Sequence, residues 1–146
     1  MSTAIPLILC IEDEPAHALL IKHALKELDG EFSFAHISDG RAAIDSLFGV
    51  GESGDRTSHP APALVLLDLN IPKVAGVEVL RRIKEDPEYA AIPVLVMSSS
   101  TSPQDVQVAY ANHANCCLLK PQGFSDLVDM LRGVIDFWLP RQKGNK

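Results

Sequence analysis

The stretch Ala63-Leu64-Val65-Leu66-Leu67-Asp68-Leu69-Asn70-Ile71-Pro72 decides how this chain folds. An unbroken apolar run, entered through Pro62, stops abruptly on a carboxylate. A continuous apolar run of this length predicts a strand buried on both faces, as in a parallel sheet, and not the alternating strand of a half-solvated one. An acid where such a strand stops lies at the carboxyl edge of the sheet, the edge on which open α/β sheets bind ligands.

Similar runs lie on either side. Leu7–Ile11 and the weaker Phe32–Ile37 come before it; Val94–Met97, entered through Pro93, and Cys116–Leu119, closed by Lys120-Pro121, come after. The segments between have helical period. Pro15 opens the first, which runs to about Leu28; Gly40–Phe48 is the second and Ala75–Glu85 the third. Ser102-Pro103 starts the fourth, to about His113, and Phe124–Leu139 is the fifth. Proline suits the first helical turn, where its missing N–H has no partner to lose. The alternation is βα five times over, which predicts an α/β protein with a doubly wound five-stranded parallel sheet. Gly49–Pro62 reads as a long solvated loop, residues 1–140 as one domain, and 141–146 as a polar tail.

Composition sets the outer limits. The chain has 146 residues, 13 Lys+Arg against 19 Asp+Glu, and a net charge of −6. At 47% hydrophobic and 22% charged it belongs with folded globular domains and not with disordered chains. The acidic balance argues against a partner bound through nucleic-acid phosphates. No apolar run approaches the ~20 residues of a membrane span, and no signal peptide is visible, so no membrane contact is expected. Cys10, Cys116 and Cys117 have no pairing or metal spacing, and the five histidines add none, so reduced thiols in a cytoplasmic protein are expected and a zinc site is not.

The chemistry falls at the strand ends. Glu12, Asp13 and Glu14 follow the first strand, Asp68 the third, Ser98, Ser99 and Ser100 the fourth, and Lys120 the fifth. Three neighbouring carboxylates, Glu12, Asp13 and Asp68, either raise one another's pKa or hold a cation. Mg2+ is a hard ion that takes one or two carboxylates, waters and phosphate oxygens, and it fits that set. A carboxylate can itself be the nucleophile of an aspartyl phosphate, with Ser98 and Lys120 binding the other phosphoryl oxygens.

These residues in combination resemble the receiver domain of two-component response regulators, the CheY-like family, over about Leu7 to Leu139. The acidic pair matches Glu12-Asp13, the phosphoacceptor Asp68, the switch hydroxyl Ser98 and the lysine Lys120. The resemblance implies a flavodoxin-like strand order 2-1-3-4-5, a histidine kinase as phosphodonor, and no enzymatic activity beyond self-phosphorylation and dephosphorylation. It further implies that Asp13 and Asp68 bind Mg2+ directly, that Asn70 adds its backbone carbonyl, that Glu12 acts through water, and that the Lys120–Pro121 bond is cis. Glu12-Asp13-Glu14-Pro15, the long loop, Asp68–Lys73 and the closing Asp136–Leu139 look like the single-domain regulators that partner phytochrome kinases. With no output domain expected, the output would be a protein contact, a returned phosphoryl group or a change in assembly.

Cys117 departs from the family pattern, which places an aromatic switch residue three positions before the lysine. Three alternatives fit these residues less well. A haloacid-dehalogenase-like phosphatase needs an acid two residues after its nucleophile, where this chain has Asn70. A flavodoxin-like FMN binder would face repulsion from Glu12-Asp13-Glu14. A receiver-fold module without phosphorylation would have lost an acid, the hydroxyl or the lysine.

Two further readings concern helices. His17 shares an arc with Ala24 and Leu28, and so reads as a packed, partly buried histidine. On the fifth helix, at about 100° per residue, Phe124, Leu127, Val128, Leu131, Val134, Ile135 and Trp138 form a docking arc. Met130 and Phe137 lie beyond that arc and predict a homodimer through this helix.

Overall fold

Strand burial follows strand position. The computed structural model of the chain describes residues 5–49, 61–71, 73–98 and 102–139. Its elements are β1 (Leu7–Ile11), α1 (Pro15–Lys26), β2 (Ser33–Ile37), α2 (Gly40–Phe48), β3 (Leu64–Asp68), α3 (Gly76–Glu85), β4 (Val94–Ser98), α4 (Pro103–Ala111), β5 (Cys116–Leu119) and α5 (Phe124–Trp138). All pairings are parallel, in the order β2-β1-β3-β4-β5. The central strands carry the unbroken apolar runs, and every residue of β3 is buried. The edge strands β2 and β5 are partly exposed.

Alternate residues of each central strand feed opposite faces, as a period of two requires. Ile8, Leu64, Leu66 and Leu95 pack with Ile21 and Leu25 of α1 and Leu131 and Ile135 of α5. Leu9, Val65, Leu67 and Val96 pack with α2, α3 and Ala109 of α4. Helices therefore cover both faces, as the doubly wound reading expects.

Local chemistry fixes the helix ends. Asp39 caps α2 by accepting the Ala42 N–H at 2.7 Å. Gly49, at φ 68°, closes the same helix in the left-handed region that glycine tolerates. α1 stops at Lys26, short of the expected Leu28, because Glu27 and Leu28 tighten to bonds on Ala24 and Leu25. α4 stops at Ala111, short of the expected His113, because His113 itself turns to φ 71°. β3 and β4 each run one residue further than expected, so Asp68 and Ser98 are the last residues of their strands.

Three expectations need correction or lie elsewhere. The Lys120–Pro121 bond is trans, since no cis peptide occurs among the described residues. On α5, Met130 packs against the core while Phe124, assigned to the docking arc, is 42% exposed. α1 lies against α5, and Phe124, in the first turn, borders a groove shared with His17 and Leu20 that leaves it partly exposed. Phe137 does project outward, at 73% exposure. Most of the Gly49–Pro62 loop, Ser99 and Ser100, and the 141–146 tail lie outside the described residues.

Candidate functional site

Strand register assembles the site. Ile11 of β1 lies opposite Leu67 of β3, so the next residues, Glu12 and Asp68, come together at the rim. Asp68 lies opposite Met97, and Ser98 opposite Leu119. The Lys120 N–H then donates to the Ser98 carbonyl at 2.7 Å, which sets where the lysine leaves the sheet. The backbone of Glu12 is pinned twice. Its N–H donates to Ile37 O at 3.0 Å, and its carbonyl lies 2.6 Å from His36 Nε2.

Lys120 is the centre of the arrangement. Its ammonium donates to Glu12 Oε1 at 2.8 Å and to Asp68 Oδ2 at 3.1 Å. All three side chains are nearly enclosed, and they would be costly to bury singly. Burial pushes Glu12 above the ordinary carboxylate range, against the opposing bond and charge of Lys120. Burial pulls Lys120 down, but the hydrogen bonds and charges of Glu12 and Asp68 outweigh it and hold the ammonium above the ordinary lysine value.

The remaining oxygens are held by backbone. Asp68 Oδ1 accepts the Asn70 N–H at 2.9 Å, and Glu12 Oε2 accepts the Glu14 N–H at 3.2 Å. Gly76 lets the turn after β3 close: a Cβ there would lie 2.5 Å from Leu69 Cα and 2.7 Å from Asp68 O. Ligand oxygens of Glu12, Asp13 and Asp68 lie within 4.8 Å of one another, a donor set of carboxylates that suits a hard divalent cation.

Of the residues expected at the site, Glu12, Asp13, Asp68 and Lys120 are brought together, with Asn70 adjacent through its backbone. Ser98 stands at the neighbouring strand end and borders a cavity of about 50 Å3 shared with Leu69, Asp105, Val106 and Cys117. Cys117 lies where the family's aromatic residue would stand. Its N–H donates to the Tyr110 hydroxyl at 3.1 Å.

From sequence alone His17 reads as a packed histidine in preference to one that tunes phosphate access. It is half-buried, but its contacts are polar: Nδ1 lies 3.1 Å from Lys120 Nζ, 3.6 Å from Glu14 Oε1 and 3.8 Å from Glu12 Oε1. The available signal was its place in the first turn of the helix that leaves the acidic loop. Glu12, Glu14 and His17 also cluster tightly enough for a metal, but His17 Nδ1 there lies 3.1 Å from the lysine ammonium.

Comparison with known proteins bears on the same residues. The chain is 43% identical over 133 residues to the probable methanogenesis regulatory protein FilR2 of Methanothrix harundinacea, covering 91% of this chain and 83% of that protein. It is 39% identical over 132 residues to the response regulator Rcp1 of Synechocystis, covering 90% and 88%. The fold superposes on the phosphorylated cyanobacterial phytochrome response regulator RcpA with a TM-score of 0.85 at 36% identity, covering 94% of this chain and 96% of that one. It also superposes on the Mn2+-bound form of Rcp1 with a TM-score of 0.81 at 38% identity, covering 92% and 95%. Among the described residues no helix is long and apolar enough to cross a membrane. Residues 8–132 match the model of the response regulator receiver domain, and the chain belongs to that family.

Proposed function

We propose that Asp68 accepts a phosphoryl group from a histidine kinase, with Mg2+ held by Asp13, Asp68 and the Asn70 carbonyl and by Glu12 through water. The observation that carries this reading is the Lys120 ammonium lying between Glu12 and Asp68, beside the Asp13 carboxylate. In the transfer an Asp68 oxygen bonds to phosphorus, the phosphorus–nitrogen bond of the donor breaks, and the leaving imidazole takes a proton from solvent. When bound, the cation offsets charge between the carboxylates and the incoming phosphoryl oxygens. Lys120 and Ser98 bind those oxygens once they arrive. The protein performs no chemistry beyond gaining and losing this group, and it acts in the cytoplasm.

The test is phosphorylation by a small donor such as phosphoramidate, with and without Mg2+, read by intact mass. Wild type gains one phosphoryl group only with Mg2+, and Asp68→Asn gains none. A mutant that gains the same group overturns the assignment.

Two finer readings accompany it. Similarity to Rcp1 and RcpA supports a phytochrome-type kinase as donor. The exposed Phe137 beside Trp138, with ring centroids 4.9 Å apart, supports a homodimer through α5. Each large apolar side chain buried at such a contact contributes about 1.5–3 kcal/mol. Sedimentation across concentration checks it: wild type dimerises, and Phe137→Asp shifts the protein to monomer. A monomeric wild type at high micromolar concentration refutes the dimer.

A further inference from the structure

An ammonium has three N–H donors and no acceptor. In Lys120 two of them go to Glu12 Oε1 and Asp68 Oδ2, at 2.8 and 3.1 Å. The third partner is His17 Nδ1, also at 3.1 Å. This contact is a hydrogen bond only when Nδ1 presents its lone pair, which places the ring proton on Nε2. Lys120 is thereby saturated by three acceptors from three elements. Glu12 lies at the end of β1, Asp68 at the end of β3, and His17 in the first turn of α1.

The three contacts respond differently to a phosphoryl group on Asp68. The bond to Asp68 Oδ2 has to be surrendered to a phosphoryl oxygen if Lys120 is to bind it. Glu12 is anionic and draws the lysine back toward the cation site. His17 offers a ring nitrogen in place of a carboxylate oxygen, and it comes from a helix whose start is fixed by Pro15 and by the Glu14 N–H on Glu12.

We propose that His17 is a positioning residue for the phosphoryl chemistry: its Nδ1 holds one N–H of Lys120 throughout, keeping the ammonium aimed at Asp68 while another N–H passes from the carboxylate to the phosphoryl group. The proposal rests on the receiver reading of Asp68. Without His17, Lys120 has only the two carboxylates to bond and settles onto them, tying up the nucleophile.

Two measurements test it. The first needs no phosphorylation: long-range proton–nitrogen NMR of the metal-free wild type at pH 8 reads the His17 tautomer. The expected signature is a bare Nδ1 and a protonated Nε2; a ring protonated on Nδ1 overturns the proposal. The second compares His17→Leu, which keeps bulk and removes the acceptor, with His17→Asn, which returns an acceptor oxygen near the Nδ1 position. With phosphoramidate and Mg2+, His17→Leu is phosphorylated about tenfold more slowly and His17→Asn recovers most of the rate, as expected for one charge-assisted bond. Both variants melt as wild type does, since His17 is partly solvent-exposed. A His17→Leu rate equal to wild type, or a His17→Asn rate no better than His17→Leu, overturns the proposal. A wild type that takes no label counts against the receiver reading itself, and the tautomer then decides for or against His17 alone.

Discussion

At the corner of the rim formed by β1, β3 and β5, Glu12, Asp68, His17 and Lys120 fill one another's hydrogen-bonding capacity. At the corner formed by β4 and β5, Ser98 and Cys117 border a mostly apolar cavity of about 50 Å3, lined also by Val96, Val106 and Leu118. The first corner is held together by charge, with the ammonium already aimed at Asp68, the kind of fixed arrangement called electrostatic preorganisation. The second is lined mainly by aliphatic side chains, whose contacts are non-directional and leave a side chain or a helix freer to shift. Neighbouring strand ends thus differ in chemistry: one is ionic and directional, the other mostly apolar.

The largest expected effect breaks the wired corner. Lys120→Met leaves Glu12 and Asp68 enclosed without a counter-charge, and in chelator it destabilises the protein by about 3 kcal/mol. Added Mg2+ then recovers more stability in the mutant than in wild type, because the cation takes the lysine's place between the carboxylates. Urea melts with and without Mg2+ measure both; equal stability in chelator refutes the arrangement. Alkaline pH gives the same information in wild type. Lys120 is held above its ordinary value, so its stabilisation is complete below about pH 10.4 and is lost as pH rises through the raised value. Lys120→Met lacks that alkaline loss.

A smaller effect probes the apolar corner. Cys117→Phe puts a ring against a space too small for it, and α4 must give way. The expected cost is about 1 kcal/mol in thermal or urea melts. A variant as stable as wild type would mean that the corner already has room for a ring.

The smallest perturbation compares thiols. Burial, reinforced by the charge of Glu12, pushes the Cys10 thiol up to about 12, and its side chain is enclosed. Cys116 and Cys117 are partly exposed. Alkylation at pH 8, read by mass, labels these two and spares Cys10 until the protein unfolds. Equal labelling of Cys10 would show that the centre of the sheet opens far more readily than its packing implies.

The strand ends were legible because the sequence changes chemistry abruptly there: apolar runs give way to Glu12, Asp68, Ser98 and Lys120 within one residue. A parallel sheet then brings those points to one rim whatever the loops do. His17 was not legible, because its partner is 103 residues away and its helical phase matches that of core residues. Helical phase also misplaced Phe124 and Met130. A wheel gives the angle of a side chain but not how far its neighbours reach around it, and here Met130 packs on the core while Phe124 stays partly exposed. The trans Lys120–Pro121 bond was beyond reading for a related reason: it came from resemblance and not from any property of this chain's own residues.

The Tyr110 hydroxyl that receives the Cys117 N–H also bears on colloidal behaviour. β5 is an outermost strand, and such a strand offers unpaired donors on which another polypeptide can nucleate cross-chain pairing and aggregation. A phenol from the preceding helix blocks one of these donors at mid-strand, and its half-exposed ring stands beside that edge as a steric guard. Where many proteins protect a sheet margin with lysine or proline, this one sets a tyrosine side chain against it.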